Sequence, residues 1–291
     1  MRYTVAMSAH DSRARRSALI LGLLGLLAVP APARADEADA VYKTCLAHKR
    51  EGKNDEAIQT CLRSLEMRKS AAVLGTLGSL FRARADWKKS IEYYEQAVAL
   101  QPQAAELRLN LGAVYARAGR RPEATAQLEK ARELAPADVD VLRNLGTIYS
   151  QERDFARAIP LLEKANQLKP NHPEVLNNLG VAHRKAGHLD EAMKYLEKAI
   201  ELQPQAPDYH FNLATVYRRK NKTEEAIREY EKALALDARH KEAHYDLGIL
   251  YEQKREHDKA VQHFERYLEL GAGSPKEAAE VKGKIKTLKA K

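Results

Sequence analysis

Between Ala105 and Leu202 the small and apolar residues of the chain recur with a spacing of 34 residues. One copy carries Leu145, Gly146, Tyr149, Ala158, Leu162, Ala165 and Pro170. The next carries Leu179, Gly180, His183, Ala192, Leu196, Ala199 and Pro204, and the preceding one Leu111, Gly112, Tyr115, Ala124, Leu128, Ala131 and Pro136. At 100° per residue, positions 7, 8 and 11 of each copy fall on one side of a helix, which must be buried. A period of this length, with this order of small, large and breaker residues, predicts helix–turn–helix units stacked into an all-α solenoid.

Counting outward, full copies start at Ala71, Ala105, Val139, Pro173, Pro207 and Lys241. Leu77, Leu111, Leu145, Leu179, Leu213 and Leu247 hold position 7, and Gly78, Gly112, Gly146, Gly180, Ala214 and Gly248 hold position 8. A larger side chain at position 8 would hold the two helices apart, and positions 20 and 27 (Ala226, Ala233) are small for the same reason. The pattern resembles the tetratricopeptide repeat (TPR) family. That resemblance implies a right-handed α-solenoid whose inner wall binds extended peptides. One unit cannot fold alone: ordering each residue costs about 1–2 kcal/mol, whereas each large apolar side chain returns about 1.5–3 kcal/mol.

The expected division is a signal segment at 1–35, a degenerate first repeat at 36–70, six full repeats at 71–273 and a capping helix at 274–291. Ser90 at position 20 and Tyr267 at position 27 are departures at the ends, where repeats are expected to be atypical. Asp138 reads as an N-cap, and Pro122, Pro173 and Pro207 fall where a first-turn proline is tolerated. Pro160 lies several residues into its helix and is expected to shorten or bend it. Ser274-Pro275-Lys276-Glu277 reads as a capping box for a last helix with Val281, Ile285 and Leu288 as its apolar stripe.

Arg13, Arg15 and Arg16 precede an apolar run from Ala18 to Val29, followed by Pro30 and the small-x-small site Ala33-Arg34-Ala35. This order predicts a cleaved secretory signal, an exported soluble protein starting near Asp36, and a periplasmic setting. A signal-anchor is the competing reading, although the run is shorter than the roughly 20 residues of a membrane span. The chain carries +9; five arginines and one aspartate lie in the first 35 residues, and without them +5 remains. With tyrosines at repeat-specified places and no interleaving of aromatic and basic runs, nucleic acid is not the expected partner. The lysines of the last helix read as a solvated face.

In the degenerate repeat, Cys45 falls at position 8 and Cys61 at position 24, which face each other inside one unit. An export signal and an even cysteine count favour a disulfide, with two separate buried thiols as the alternative. No metal is expected at two cysteines without a histidine cluster. His240 and His244 are four apart, but Lys241 stands where a metalloprotease needs glutamate. No phosphate loop or nucleophile elbow occurs, so neither a catalytic role nor a cofactor is expected.

Positions 2, 6, 9 and 13 share the opposite face of the first helix. The TPR resemblance places this face in a concave peptide groove. Position 6 reads Asn110, Asn144, Asn178, Asn212 and then Asp246, a row of amides able to donate to and accept from a peptide backbone. Asparagine at this position is also common family background. Thr147, Val181 and Thr215 stand at position 9. Arg184, Lys185, Arg218 and Arg219 form a basic strip suited to an acidic ligand, with Phe211 and Tyr245 as apolar anchors at position 5. Acids at position 2 (Glu106, Asp140, Glu174, Asp208, Glu242) also complement the helix dipole. A clamp for a partner's terminal carboxylate is not expected, because Arg143, Thr147, Asn178, Asp208 and Asn212 place an acid where it would repel that group. The expected role is an exported scaffold binding a protein or extended peptide for envelope assembly. The alternative is a carbohydrate-binding or glycosyl-transfer-associated cell-wall subunit, against which the groove's few aromatic platforms weigh.

Overall fold

The computed structural model describes residues 31–290, with side chains from residue 35. The expected signal segment therefore lies almost wholly outside the described residues. Helix α1 spans Ala31–Arg50, so the junction expected after Ala35 falls within its first turns.

Fifteen α-helices and no strand make up the described residues. After α1 come α2 (Asn54–Met67), α3 (Ala71–Ala83), α4 (Trp87–Leu100), α5 (Ala105–Arg117), α6 (Arg121–Leu134), α7 (Val139–Gln151) and α8 (Phe155–Leu168). They continue with α9 (Pro173–Ala186), α10 (Leu189–Leu202), α11 (Pro207–Arg219), α12 (Thr223–Leu236), α13 (Lys241–Gln253), α14 (His257–Glu269) and α15 (Pro275–Lys289). Odd- and even-numbered helices pair as hairpins, each hairpin packs on the next, and α15 covers α14.

Each hairpin turn contains one left-handed residue at the same register: Gly52, Ala85, Gly119, Arg153, Gly187, Asn221 and Arg255, with φ between 56° and 96°. Helix starts follow local chemistry. The Asp138 carboxylate accepts from the amides of Asp140 (2.9 Å) and Val141 (3.0 Å), and Ser274 Oγ accepts from Glu277 N at 3.2 Å. Helix α8 runs through Pro160 at 14 residues, the same length as α6 and α10, so the proline does not shorten it. Pro160 is exposed, where water can satisfy the carbonyl it leaves free.

Close approach within hairpins depends on the glycines. A Cβ at Gly180 would lie 2.5 Å from Leu196 Cγ, and one at Gly146 would lie 2.7 Å from Leu162 Cγ. Buried residues form a string of clusters along the stack, as expected when each unit packs only on its neighbours. The end departures have local causes. Ser90 Oγ donates to the Gly78 carbonyl at 2.7 Å, and the Tyr267 hydroxyl accepts from Gly273 N at 3.2 Å. In the first hairpin Cys45 and Cys61 are joined as a disulfide, with their Cα atoms 5.3 Å apart, and no free cysteine remains among the described residues.

Candidate binding groove

Neighbouring first helices touch one another from α3 to α11, more closely than the second helices do. The row of first helices therefore lies on the inside of the curve. A cavity of about 1150 Å³ runs along it, and Asn110, Asn144, Thr147 and Asn178 line it together. Asn212, Asp246, Val181, Thr215, Phe211, Tyr245 and the basic strip are not on its lining.

Three amides of the row are tied to their neighbours through one donor each. Asn144 Nδ2 donates to the Asp140 carbonyl at 2.7 Å, Asn178 Nδ2 to Thr147 Oγ1 at 3.0 Å, and Asn212 Nδ2 to Asn177 Oδ1 at 3.0 Å. Each amide keeps its second N–H and its carbonyl oxygen, the latter in Asn178 at 3.5 Å from Asn177 Nδ2, and both suit the backbone groups of an extended chain.

Past Asn178 the wall closes on itself. Tyr230 Oη donates to Asp246 Oδ2 at 2.8 Å, and the Arg218 guanidinium stands 3.9 Å from the same carboxylate. Thr215 Oγ1 donates to the Phe211 carbonyl at 2.9 Å and lies 3.2 Å from Tyr230 Oη. Phe211 packs on the rings of Tyr230 and His240, at 5.6 and 4.5 Å between centroids. Tyr245 packs on Phe264 and Tyr267. Both aromatic residues are built into the wall of the last repeats, where they contribute to packing.

Charge is distributed unevenly across the groove. Of the acids at the starts of the first helices, Asp140 and Glu174 have a cationic partner, Arg143 at 2.9 and 3.5 Å, while the His240 ring lies 3.5 Å from Asp208 and 3.6 Å from Glu242. The cations at the opposite ends are mostly uncompensated. Burial, and then Arg219 beside it, lowers the affinity of Arg184 for its proton. Burial likewise lowers the Lys185 ammonium, with Arg184, Arg153 and Arg121 adding to the effect. Arg219 donates to the Arg184 carbonyl. In the middle repeats Arg143 offsets Asp140 and Glu174 while Arg184 and Lys185 have no ion-pair partner among the described residues, so the local field favours an anionic ligand.

Arg82, Asn177 and Tyr209 also line the cavity. Asn177 neighbours Asn178 in sequence, and reading the last turn of the first helix across every copy, the first included, exposes Arg82. His240 and His244 serve separate neighbours: His240 Nδ1 accepts from Ala243 N at 3.4 Å, whereas His244 Nδ1 faces His263 Nδ1 at 3.0 Å. No group of three or more metal-ligating side chains occurs among the described residues.

A family model described as the Cilia and flagella-associated protein 70 C-terminal domain matches residues 14–216, and one described as Tetratricopeptide repeat matches residues 211–275. The chain belongs to the tetratricopeptide repeat family. Its fold is shared by a tetratricopeptide repeat protein from Parabacteroides merdae at a TM-score of 0.72 and 15% identity, covering 87% of this chain and 99% of that one. The APC/C hetero-tetramer Cut9–Hcn1 also reaches 0.72, at 17% identity over 84% of this TPR chain and 48% of that one. Human Protein O-mannosyl-transferase TMTC1 is 36% identical over 73 residues, 25% of this TPR chain and 8% of that protein. A match over so small a share carries no transferase activity to this TPR solenoid. No helix among the described residues is long and apolar enough to cross a membrane.

Proposed function

We propose that this TPR solenoid is an exported, non-catalytic scaffold that holds an extended segment of a partner protein along its inner wall. The observation that carries the reading is the continuous cavity of about 1150 Å³ on which Asn110, Asn144 and Asn178 stand in line. Amide oxygens at one level can accept from successive backbone N–H groups, so affinity need not depend on the partner's sequence. Cut9–Hcn1, of the same fold, is itself a hetero-tetramer. Export to an oxidising compartment, with a mature chain from about Asp36, is supported by the charged-apolar-small order of the first 35 residues and by the Cys45–Cys61 pair. The degenerate repeat, the six full repeats and the cap are the proposed units of the scaffold, and assembly of an envelope complex is its proposed setting.

The test is partner capture from the exported fraction with wild-type protein and an Asn110→Ala, Asn144→Ala, Asn178→Ala variant that melts at the wild-type temperature. Partners captured by the wild type are expected to be lost or held at least about tenfold more weakly by the variant. Equal capture would remove the amide row from the binding site.

A further inference from the structure

The inner wall changes character at its N-terminal end. Helix α3 carries Ala72, Gly75, Thr76 and Ser79 where later repeats carry acids, large side chains and asparagines. The result is a second cavity of about 480 Å³, walled by Tyr42, Leu107 and Tyr94 and floored by those small residues. Its size takes a bulky side chain together with a neighbouring residue. It joins the main groove, since Arg82 and Asn110 line both. Tyr42 Oη is held 2.9 Å from Thr76 Oγ1 and donates to the Ala72 carbonyl at 3.2 Å, which fixes that wall.

The charges beside this pit are one-sided. Lys49 Nζ donates to Ser79 Oγ at 3.0 Å, and its ammonium is lowered by burial and by the nearby Arg82 guanidinium. Neither cation has a carboxylate within ion-pair distance among the described residues, unlike Arg143 further along, which pairs with Asp140 and Glu174. Glu106 lines the opposite edge of the pit. An anion is therefore welcome on the Arg82 side and unwelcome on the Glu106 side.

We propose that this pit is the anchor subsite of the groove, taking a bulky apolar side chain of the partner segment with an acidic residue next to it on Lys49 and Arg82. The inference rests on the peptide-groove reading above and adds to it a sequence preference and a direction. The amide row grips backbone of any sequence; the pit selects the register. Burying a bulky side chain there removes that side chain's own apolar area from water against Tyr42, Leu107 and the small floor.

The experiment pans the full exported chain against displayed random peptides about a dozen residues long, which span roughly 40 Å when extended. Selected peptides are resynthesised and their affinities measured by fluorescence anisotropy. Three variants are compared with wild type: Ala72→Leu, which fills the pit from an exposed position, Arg82→Glu, and the triple asparagine variant. Enrichment of Phe, Trp or Leu beside Asp or Glu is expected. Ala72→Leu and Arg82→Glu are each expected to weaken binding about tenfold or more. Exchanging the peptide's acid for lysine is expected to restore binding to Arg82→Glu, which a merely structural effect would not do. Peptides lost by the triple variant yet indifferent to Ala72→Leu and Arg82→Glu would overturn the anchor and leave the groove standing. Peptides indifferent to all three variants, or no enrichment at all, would overturn both.

Discussion

Tyr149 Oη donates to Glu129 Oε1 at 2.6 Å across the boundary between two repeats. The same clasp recurs as Tyr115–Glu95, as Tyr217–Glu197 at 3.3 Å and as Tyr251–Glu231 at 2.7 Å. Burial together with the adjacent carboxylate pushes the Tyr115 and Tyr149 phenols up to about 12, so they remain donors at any physiological pH. Between full repeats, one boundary lacks it, and at the junction with the first hairpin Phe81 holds the place of the tyrosine. His183 stands where the other four boundaries between full repeats have tyrosine, faces Glu163, and keeps Nε2 buried without a partner.

Replacing His183 by Tyr is therefore expected to complete the series. A net hydrogen bond contributes about 0.5–1.5 kcal/mol, so the urea midpoint should rise with an unchanged slope. Tyr149→Phe should lower it by a similar amount. A lower midpoint for His183→Tyr would mean that the local packing is built around the imidazole, which stacks on Tyr195.

Acid should weaken the C-terminal repeats through His244 and His263. Burial, and then His244 beside it, pulls His263 down to about 4, against weaker opposition from Glu231; burial also lowers His244, with Arg266 and His240 adding to it. Folded-state affinities below the ordinary value of about 6.5 mean that the unfolded chain binds more protons in that window. Their contribution is complete above about pH 6.5 and is lost as pH falls toward about 4. The third full repeat has Leu142 and Leu161 at the equivalent places. A His244→Leu, His263→Leu variant should show a smaller drop in urea midpoint between about pH 7 and about pH 5 than wild type.

Gly180→Ala should destabilise, because the added methyl would meet Leu196 Cγ at 2.5 Å and the Ala192 carbonyl at 3.2 Å. Forced displacement of two packed helices costs about 1–3 kcal/mol, read as a lower melting temperature. An unchanged melting temperature would show that the hairpin separates at no cost.

Thiol titration of the unfolded, unreduced protein should find no free sulfhydryl, since Cys45 and Cys61 are joined. In the chain-entropy model a loop of this size stabilises by about 3 kcal/mol. Reduction should therefore loosen α1 and α2 first, seen as faster amide exchange in those helices. Two titratable thiols per chain would remove the cross-link.

The sequence alone determined what is local to one unit. Leu145, Gly146, Ala158 and Leu162 meet within a single hairpin, and helical geometry over a short stretch suffices to bring them together. The asparagine row was legible for the same reason, as equivalent positions on equivalent helices share a face. How one hairpin sits on the next was decided only in the tertiary structure, because a repeat period carries no information about the rotation between units. That rotation brings Tyr149 to Glu129, lets Arg143 neutralise both Asp140 and Glu174, and opens a pit beside Gly75. It also seats Phe211 on the ring of His240 from the next unit, whereas its contact with Tyr230 and that of Tyr245 with Tyr267 lie within single hairpins.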